Sequence, residues 1–167
     1  MIKPSEVKVK AERVEESNYK FRSYLKAHAD VDELDKQFLD LHNELFTGYD
    51  CGQCRNCCRE YAAELAGEDI RQIAAFLQMT EDDFISQYVE VGDDGHEFKD
   101  VPCLFLGDDN VCKIESFKPR SCIEYPYTDK PDRLFSLLGI IGSASVCPVV
   151  FEIIERLKAI YGFKSRR

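Results

Sequence analysis

The apolar side chains of the first fifty residues recur at spacings of three, four and seven positions, the period of one helix face. The two sets are Val7, Ala11, Val14, Phe21 and Leu25, then Val31, Leu34, Phe38, Leu41 and Leu45. Asp30, with Glu33 three residues later, is typical of a pair that caps a helix N-terminus. We therefore predict that residues 1–49 form a helical hairpin packed on the rest of the domain, with docking of a protein partner as the alternative.

Helical spacing returns after residue 66 and then gives way to shorter apolar runs. The segments from Gly67 to Leu77 and from Thr80 to Val89 each indicate a helix. The polar segment 91–100 is predicted to be a loop. Apolar runs between Val101 and Ile114 flank the turn residues Gly-Asp-Asp-Asn, which predicts two short strands joined by a turn.

Prolines and an uncharged stretch dominate the C-terminal third of the chain. Three prolines between residues 119 and 131 predict irregular backbone, and Pro148 predicts the first turn of a last helix that ends near Tyr161. Residues 134–151 carry no charge, but their glycines and proline disfavour a membrane span, so we expect a buried strand or turn there that leads into a core helix. The pattern as a whole predicts a single helix-rich α+β domain, mainly α with a small β-hairpin and irregular loops.

The composition is that of a soluble globular protein, with 44% hydrophobic and 32% charged residues among 167. The net charge of −9 argues against a nucleic-acid partner, because binding phosphates requires a basic face. No apolar run follows the N-terminus as it would in a secretory signal, so we expect a cytoplasmic protein. Reduced cysteines in that compartment more often bind metal or perform redox chemistry than form disulfides, and this chain has eight.

Four of the eight cysteines fall within eight residues, in the run CGQCRNCC that starts at Cys51. The C-x-x-C steps allow Cys51, Cys54 and Cys57 to face one common centre. Cys58 is adjacent to Cys57, and adjacent side chains point in different directions. We therefore expect Cys58 to serve a second centre or a different purpose.

The later cysteines supply the rest of a ligand set. If the turn between them has four residues, Cys112 lies opposite Phe105 and Cys103 becomes its diagonal neighbour. Eight thiolates divide into two sets of four, the number that suits both structural zinc and a four-iron cluster. The spacing of the first three cysteines and the Cys147-Pro pair favour iron, although close and distant cysteines also combine in zinc modules. The sequence therefore predicts zinc or a [4Fe-4S]-type iron-sulfur cluster, in one or two four-cysteine centres.

Basic residues near the cysteines are informative in a chain this acidic. Arg55 and Arg59 flank the first run, and Lys113, Lys118 and Arg120 surround the later cysteines. Such cations lower the pKa of thiols and offset the charge of thiolate ligands. The alternative interpretation is ordinary solvated surface charge.

These cysteines and the residues around them resemble a known family. The resemblance spans residues 50–150 and rests on the run Cys51 to Cys58, then Pro102-Cys103-Leu104-Phe105-Leu106, Cys112-Lys113-Ile114, Lys118-Pro119, Cys122 with Tyr125-Pro126, and Cys147-Pro148. With these motifs the chain is similar to the CxxCxxCC cysteine-cluster proteins, also called YkgJ-like proteins. They are described as zinc- or iron-chelating. The resemblance implies that all eight cysteines are metal ligands: Cys51, Cys54, Cys57, Cys58, Cys103, Cys112, Cys122 and Cys147.

The chain departs from the family pattern at three positions close to these cysteines. Glu115 stands where an aromatic residue is expected, Lys118 where arginine is expected, and Ile123 where a basic residue is expected. The departures leave the cysteines intact and bear on any shared substrate or anion contact. The family implies no reaction, and similar clusters in flagellin lysine methylation proteins link it to protein modification by analogy alone.

Residues and resemblance together predict a cytosolic protein that chelates zinc or an iron-sulfur cluster through eight cysteines, in a structural or redox role. Two domains are predicted: the helical hairpin, residues 1–49, and a cysteine-cluster metal-binding domain with a C-terminal helix, residues 50–167. Bound metal is expected to hold the irregular loops of the second domain together. The alternative is an enzyme or enzyme subunit, redox or protein-modifying, with a cluster or with Cys58 as a reactive thiol. No catalytic residue is assigned, and neither a membrane nor a nucleic acid is expected as a partner.

Overall fold

The fold is described by a computed structural model that covers residues 1–92 and 95–164. In chain order, the helices are α1 (Val7–His28), α2 (Val31–Phe46), α3 (Cys51–Cys54), α4 (Asn56–Glu60), α5 (Gly67–Phe76), α6 (Glu81–Tyr88), α7 (Arg120–Glu124), α8 (Arg133–Ser143) and α9 (Pro148–Ile160). The strands are β1 (Glu64–Leu65), β2 (Val89–Gly92) and β3 (Gly95–Phe98), and 3-10 turns occupy Pro4–Glu6 and Glu115–Phe117. The predicted helix-rich class with a small antiparallel sheet is confirmed.

These elements fall into two compact units. Residues 1–50 and the chain from Pro126 onward form the helical unit, and Cys51–Tyr125 forms the cysteine unit. The C-terminal helix α9 therefore belongs to the same unit as α1 and α2. The domain boundaries predicted from the sequence, 1–49 and 50–167, stay a prediction.

The helical unit largely buries the apolar stripes of α1 and α2, against which α8 and α9 pack. Asp30 caps α2 as predicted, since its carboxylate accepts the backbone N–H of Glu33 at 3.0 Å. The core side chains are each at most 4% exposed: Phe21, Leu25, Leu34, Phe38, Leu137, Ile140, Ile153, Ile154 and Leu157. Burying each of them stabilises the fold by about 1.5–3 kcal/mol before the loss of chain entropy is subtracted.

Residues 134–151 contain a helix, so the prediction of a buried strand or turn was wrong. α8 occupies most of this stretch, and Pro148 begins α9 as predicted. Gly139 and Gly142 lie on the exposed face of α8, where no neighbouring atom crowds a Cβ position. Packing of the opposite face outweighs their helix-propensity cost of about 1 kcal/mol each. Within the part of the chain that the structure describes, no helix is both long and apolar enough to cross a membrane.

Polar contacts within the helical unit fix the segment before α8. Asp35 of α2 accepts the backbone N–H groups of Asp132 at 2.7 Å and of Arg133 at 2.8 Å, which caps the N-terminus of α8. The buried guanidinium of Arg133 donates to the carbonyl oxygens of Tyr127 at 2.5 Å and Pro131 at 2.6 Å. The N-terminus of α8 thus depends on a residue far away in the sequence.

A half-buried histidine lies beside the same segment. His42 of α2 has its Nδ1 2.8 Å from the hydroxyl of Thr128, which is fully buried. Burial lowers the pKa of His42, while the charge of Asp129 works against this shift and that of Lys130 adds to it. The neutral imidazole is therefore favoured in the folded protein.

The cysteine unit has its own apolar core, to which α5, α6, the sheet and the loop after it contribute. Its buried members are Leu65, Ile70, Ile73, Ala74, Phe84, Val89, Phe98, Phe105 and Ile114. β2 and β3 pair antiparallel, with Val89 opposite Phe98, so the prediction of a loop was wrong for residues 91–92 and 95–98. Residues 93 and 94 of the predicted loop lie outside the described residues. The two strands predicted between Val101 and Ile114 are replaced by an isolated bridge between Leu106 and Cys112.

Three glutamates form a row across the sheet, whose strand order is β1-β3-β2. Glu97 of β3 lies opposite Glu64 of β1 on one side and opposite Glu90 of β2 on the other. All three are exposed. Like charges directly opposite one another destabilise a sheet, so this row works against the pairing that the buried face provides.

Candidate metal centre

The run CGQCRNCC folds into two short helices separated by one residue. Cys51 and Cys54 bound α3, three residues apart, so they lie on the same side of a single helical turn. Arg55 follows with φ 52° and ψ 15°, the left-handed conformation, and then α4 begins. Cys57 and Cys58 lie in α4, where neighbouring side chains point in different directions.

Cys103 and Cys112 are held by the core of the cysteine unit. The backbone N–H of Phe105 donates to the sulfur of Cys103, and that of Ile114 donates to the sulfur of Cys112. Phe105 and Ile114 are 4% and 2% exposed, and each follows its cysteine by two residues. Packing of these two core side chains therefore aims a backbone donor at each thiol. Cys58 is bonded to this segment, because the backbone N–H of Cys103 donates to the carbonyl oxygen of Cys58 at 2.7 Å.

The turn between Cys103 and Cys112 is crowded at Gly107 and bonded to the first cysteine run. A Cβ on Gly107 would lie 2.5 Å from the Asp109 carboxylate, so no larger residue fits without a shift. The side-chain amide of Asn110, which has φ 66°, donates to the Gln53 carbonyl oxygen at 3.3 Å and accepts from Arg59. Arg59 also donates to the carbonyl oxygen of Cys54 at 3.2 Å. These bonds join α3 and α4 to the tip of the later turn.

The register of this turn differs from the sequence prediction. Cys112 pairs with Leu106 and not with Phe105, so the predicted partner was wrong by one residue. The N–H of Gly107 donates to the Val111 carbonyl oxygen at 2.8 Å. The turn between these two residues therefore has three residues, one fewer than predicted.

Cys122 is positioned by capping contacts from elsewhere in the cysteine unit. It lies in α7, where the backbone N–H of Arg120 donates to the Asp69 carboxylate of α5 at 3.1 Å. The Ser121 hydroxyl donates to the carbonyl oxygen of Glu64 in β1 at 2.7 Å. A five-residue helix has little stability of its own, so these contacts determine where Cys122 lies.

Four thiols of this unit affect one another's ionisation. Burial raises the pKa of Cys122 to about 12, and the charges of Cys58, Cys103 and Cys112 add to the rise. Burial likewise raises the pKa of Cys103, with further contributions from Cys58 and Cys112. Because the charges of Cys58 and Cys112 act on the pKa of both Cys103 and Cys122, we call Cys58, Cys103, Cys112 and Cys122 the four-thiol cluster.

Two cations and one carboxylate surround the four-thiol cluster. A hydrogen bond with Cys57 lowers the pKa of Cys58 to about 6, and the charges of Arg55 and Lys118 act in the same direction. Arg55 Nη2 donates to a Glu115 carboxylate oxygen at 2.7 Å, and Lys118 pairs with the same carboxylate. Glu115, one of the departures from the family pattern, therefore links the two cations.

The other basic residues near the cysteines have different contacts. Arg59 bonds to backbone and to Asn110, as described above, and Arg120 pairs with Glu124 at 2.8 Å. Lys113 is exposed. Of the five cations noted in the sequence, Arg55 and Lys118 are the two that act on the pKa of Cys58.

The remaining cysteines are placed as follows. Cys147 lies in the helical unit and is the buried residue before α9. Its backbone carbonyl oxygen accepts a hydrogen bond from the N–H of Phe151 at 3.0 Å. None of the eight cysteines, all of which lie within the described residues, forms a disulfide bond. Across residues 1–92 and 95–164, no group of three or more His, Cys, Asp or Glu side chains lies in an arrangement that could hold a metal ion. The assignment of all eight cysteines as ligands stays a prediction.

Comparison with known proteins identifies the family. The model of the CxxCxxCC family, described as "Putative zinc- or iron-chelating domain", matches residues 50–147. The chain belongs to this family. The predicted resemblance is thereby confirmed, and the match contains every cysteine of this CxxCxxCC protein. A search of curated proteins finds no match, and neither does a search of solved structures.

The four-thiol cluster fits the metal chemistry of the CxxCxxCC family. Thiolates are ligands for both zinc and iron, and four are the usual number for either. Backbone N–H groups that donate to sulfur, as from Phe105 and Ile114, stabilise metal-bound thiolates. Arg55 and Lys118 supply the positive charge that such a set of anions requires.

Proposed function

We propose that this CxxCxxCC protein binds zinc or an iron-sulfur cluster, and that Cys58, Cys103, Cys112 and Cys122 together form one four-thiolate centre. Two observations support this most directly: the Cys103 N–H donates to the Cys58 carbonyl oxygen at 2.7 Å, and the charges of Cys58 and Cys112 raise the pKa of both Cys103 and Cys122. Cys51, Cys54, Cys57 and Cys147 are the four that remain in the predicted set of eight.

The proposed role of the metal is first structural. The cysteine unit has short helices, and in the loop from Lys99 to Pro119 the one regular element is the 3-10 turn Glu115–Phe117. The free energy of binding a structural metal, on the order of 10 kcal/mol, contributes directly to folding in such a unit. A zinc ion would supply this stability without redox chemistry, and a [4Fe-4S] cluster would add one-electron transfer. In either case the residues of the chain hold the thiolates and balance their charge.

The decisive experiment is anaerobic purification followed by elemental analysis and a visible spectrum. A brown protein that contains iron and labile sulfide identifies a cluster, and a colourless protein with stoichiometric zinc identifies a structural site. Cys122→Ser should lower the metal content, whereas Ile123→Ser, at the exposed neighbouring position in α7, should not. A wild-type protein that takes up neither metal would refute the proposal.

Counting reactive thiols separates this function from the enzymatic alternative. Every cysteine that binds metal resists alkylation in the loaded, folded protein, because the thiolate is engaged. We expect Cys58 and Cys122 to be protected by metal and to react after a chelator removes it. If Cys58 alone reacts rapidly in the loaded protein, an enzyme with a reactive thiol is favoured.

A further inference from the structure

Arg55 combines a strained backbone with a buried charge. Its φ of 52° lies in the left-handed region, which glycine and asparagine adopt far more readily than arginine. Its side chain is nevertheless buried, with 6% of the residue exposed. A charged residue that is kept in an unfavourable conformation and shielded from water must be held by its surroundings.

The guanidinium of Arg55 lies among the thiols of the proposed centre. It bonds to Glu115 at 2.7 Å through Nη2, and it also forms a hydrogen bond with Cys58. The charge of Cys112 acts on it as well. Its Nε is buried and has no hydrogen-bond partner among the residues that the structure describes. A buried, unsatisfied donor beside sulfur atoms is a costly arrangement unless an anion lies close to it.

Metal binding would create such an anion. A zinc ion with four thiolates carries a net charge of about −2, and a [4Fe-4S] cluster with four thiolates in its oxidised state carries the same. Removing that charge from water is unfavourable without a neighbouring cation. Lys118 is partly solvated, with 22% of its side chain exposed, and Glu115 is 52% exposed. Arg55 is therefore the better shielded of the two cations, with 7% of its side chain exposed, and its charge acts on Cys58 more strongly than that of Lys118 does.

We propose that Arg55 is a positioning residue that balances the charge of the metal-loaded four-thiolate centre, with Glu115 setting how much of its positive charge remains for the thiolates. This inference rests on the proposed function, because it requires a metal bound by Cys58, Cys103, Cys112 and Cys122. Arg55 itself binds no metal. It favours the loaded state because that state is the more negative one.

The test compares zinc affinity among variants by competition with a chromophoric chelator at fixed pH. Arg55→Met should weaken zinc binding by about 10- to 100-fold, the usual loss for residues that support metal ligands. Arg55→Lys keeps the charge and should recover a large part of the loss. Lys113→Met removes an exposed cation from the same region and should change the affinity by less than about twofold.

Two further measurements separate charge balance from a purely structural role. Glu115→Gln breaks the ion pair but removes a negative charge, so zinc affinity should equal or exceed that of the wild type. A structural role for the pair predicts weaker binding instead, and that result would overturn the inference. In cobalt-substituted protein, the sulfur-to-cobalt charge-transfer band per bound ion should be unchanged in Arg55→Met, because the ligands stay the same.

Failure of this inference can be distinguished from failure of the proposed function. If the wild type binds metal through its cysteines and Arg55→Met binds it equally tightly, only the role of Arg55 is wrong. If the wild type binds no metal through the four-thiol cluster, the proposed function is wrong as well. Should Arg55→Met fail to fold, Arg55→Lys and Glu115→Gln still test the inference, because a structural role predicts that both weaken binding.

Discussion

Replacement of Asn110 by alanine should destabilise the cysteine unit by about 2–3 kcal/mol. Two contributions make up this figure. Asn110 has φ 66°, and alanine in the left-handed region costs roughly 1–2 kcal/mol, which asparagine largely avoids. Its side chain also forms two hydrogen bonds, with Arg59 and with the Gln53 carbonyl oxygen. Because these bonds are exposed, we take about 0.5 kcal/mol for each, the low end of the usual range.

Asn110→Gly is the matched variant that separates these two contributions. Glycine adopts the left-handed conformation without strain but lacks the amide, so it should cost only about 1 kcal/mol. Chemical denaturation of the metal-free protein, with hydrogen exchange in α3 and in the turn, gives both values. Equal stability of the two variants would show that backbone strain at this position is unimportant. If both variants match the wild type, Asn110 does not link the turn to α3.

Further predictions concern the sheet, the half-buried histidine and the first cysteine run. Glu97→Gln should raise the free energy of unfolding by about 0.5 kcal/mol, because it removes repulsion from Glu64 and Glu90; an unchanged urea midpoint would contradict this. The pKa of His42 is lower in the folded protein than in the unfolded chain, so the unfolded chain binds a proton first as the pH falls. The contribution of the neutral His42 to stability is therefore complete above about pH 6.5, and it is lost as the pH falls towards the folded pKa. The stability of His42→Gln should accordingly decline less between pH 7 and pH 5 than that of the wild type, as measured by thermal melting. Cys54→Ser should lower the melting temperature of the metal-loaded protein and its metal content, and unchanged values would count against this cysteine as a ligand.

Local signals made most of the helices predictable. The apolar stripes of α1, α2, α5 and α6 repeat within a few residues, and Asp30 and Thr80 accept the N–H bonds that their sequence context suggests. The β2–β3 hairpin had a local signal too. Val89 and Val91 alternate with Glu90, and Phe98 follows Glu97, which is the two-residue period of a strand. The abundance of acidic residues between them favoured a loop instead.

Other elements depend on contacts that no local pattern contains. The N-terminus of α8 is capped by Asp35, and that of α7 by Asp69, both distant in sequence. The bond between Asn110 and Gln53 spans 57 positions. The sequence identified the eight cysteines as a set and paired Cys103 with Cys112, but no local pattern indicated that Cys58 and Cys122 belong with that pair. The interaction of Cys58 with Cys122 depends on where α4 and α7 lie in the folded unit.

The order of the elements along the chain has a consequence for synthesis on the ribosome. The cysteine unit is one continuous stretch, whereas the helical unit needs α8 and α9, which are translated last. Seven of the eight cysteines have therefore emerged before α1 and α2 acquire their packing partners. If metal binds as proposed, it can therefore reach the cysteine unit of a nascent chain before the helical unit has assembled.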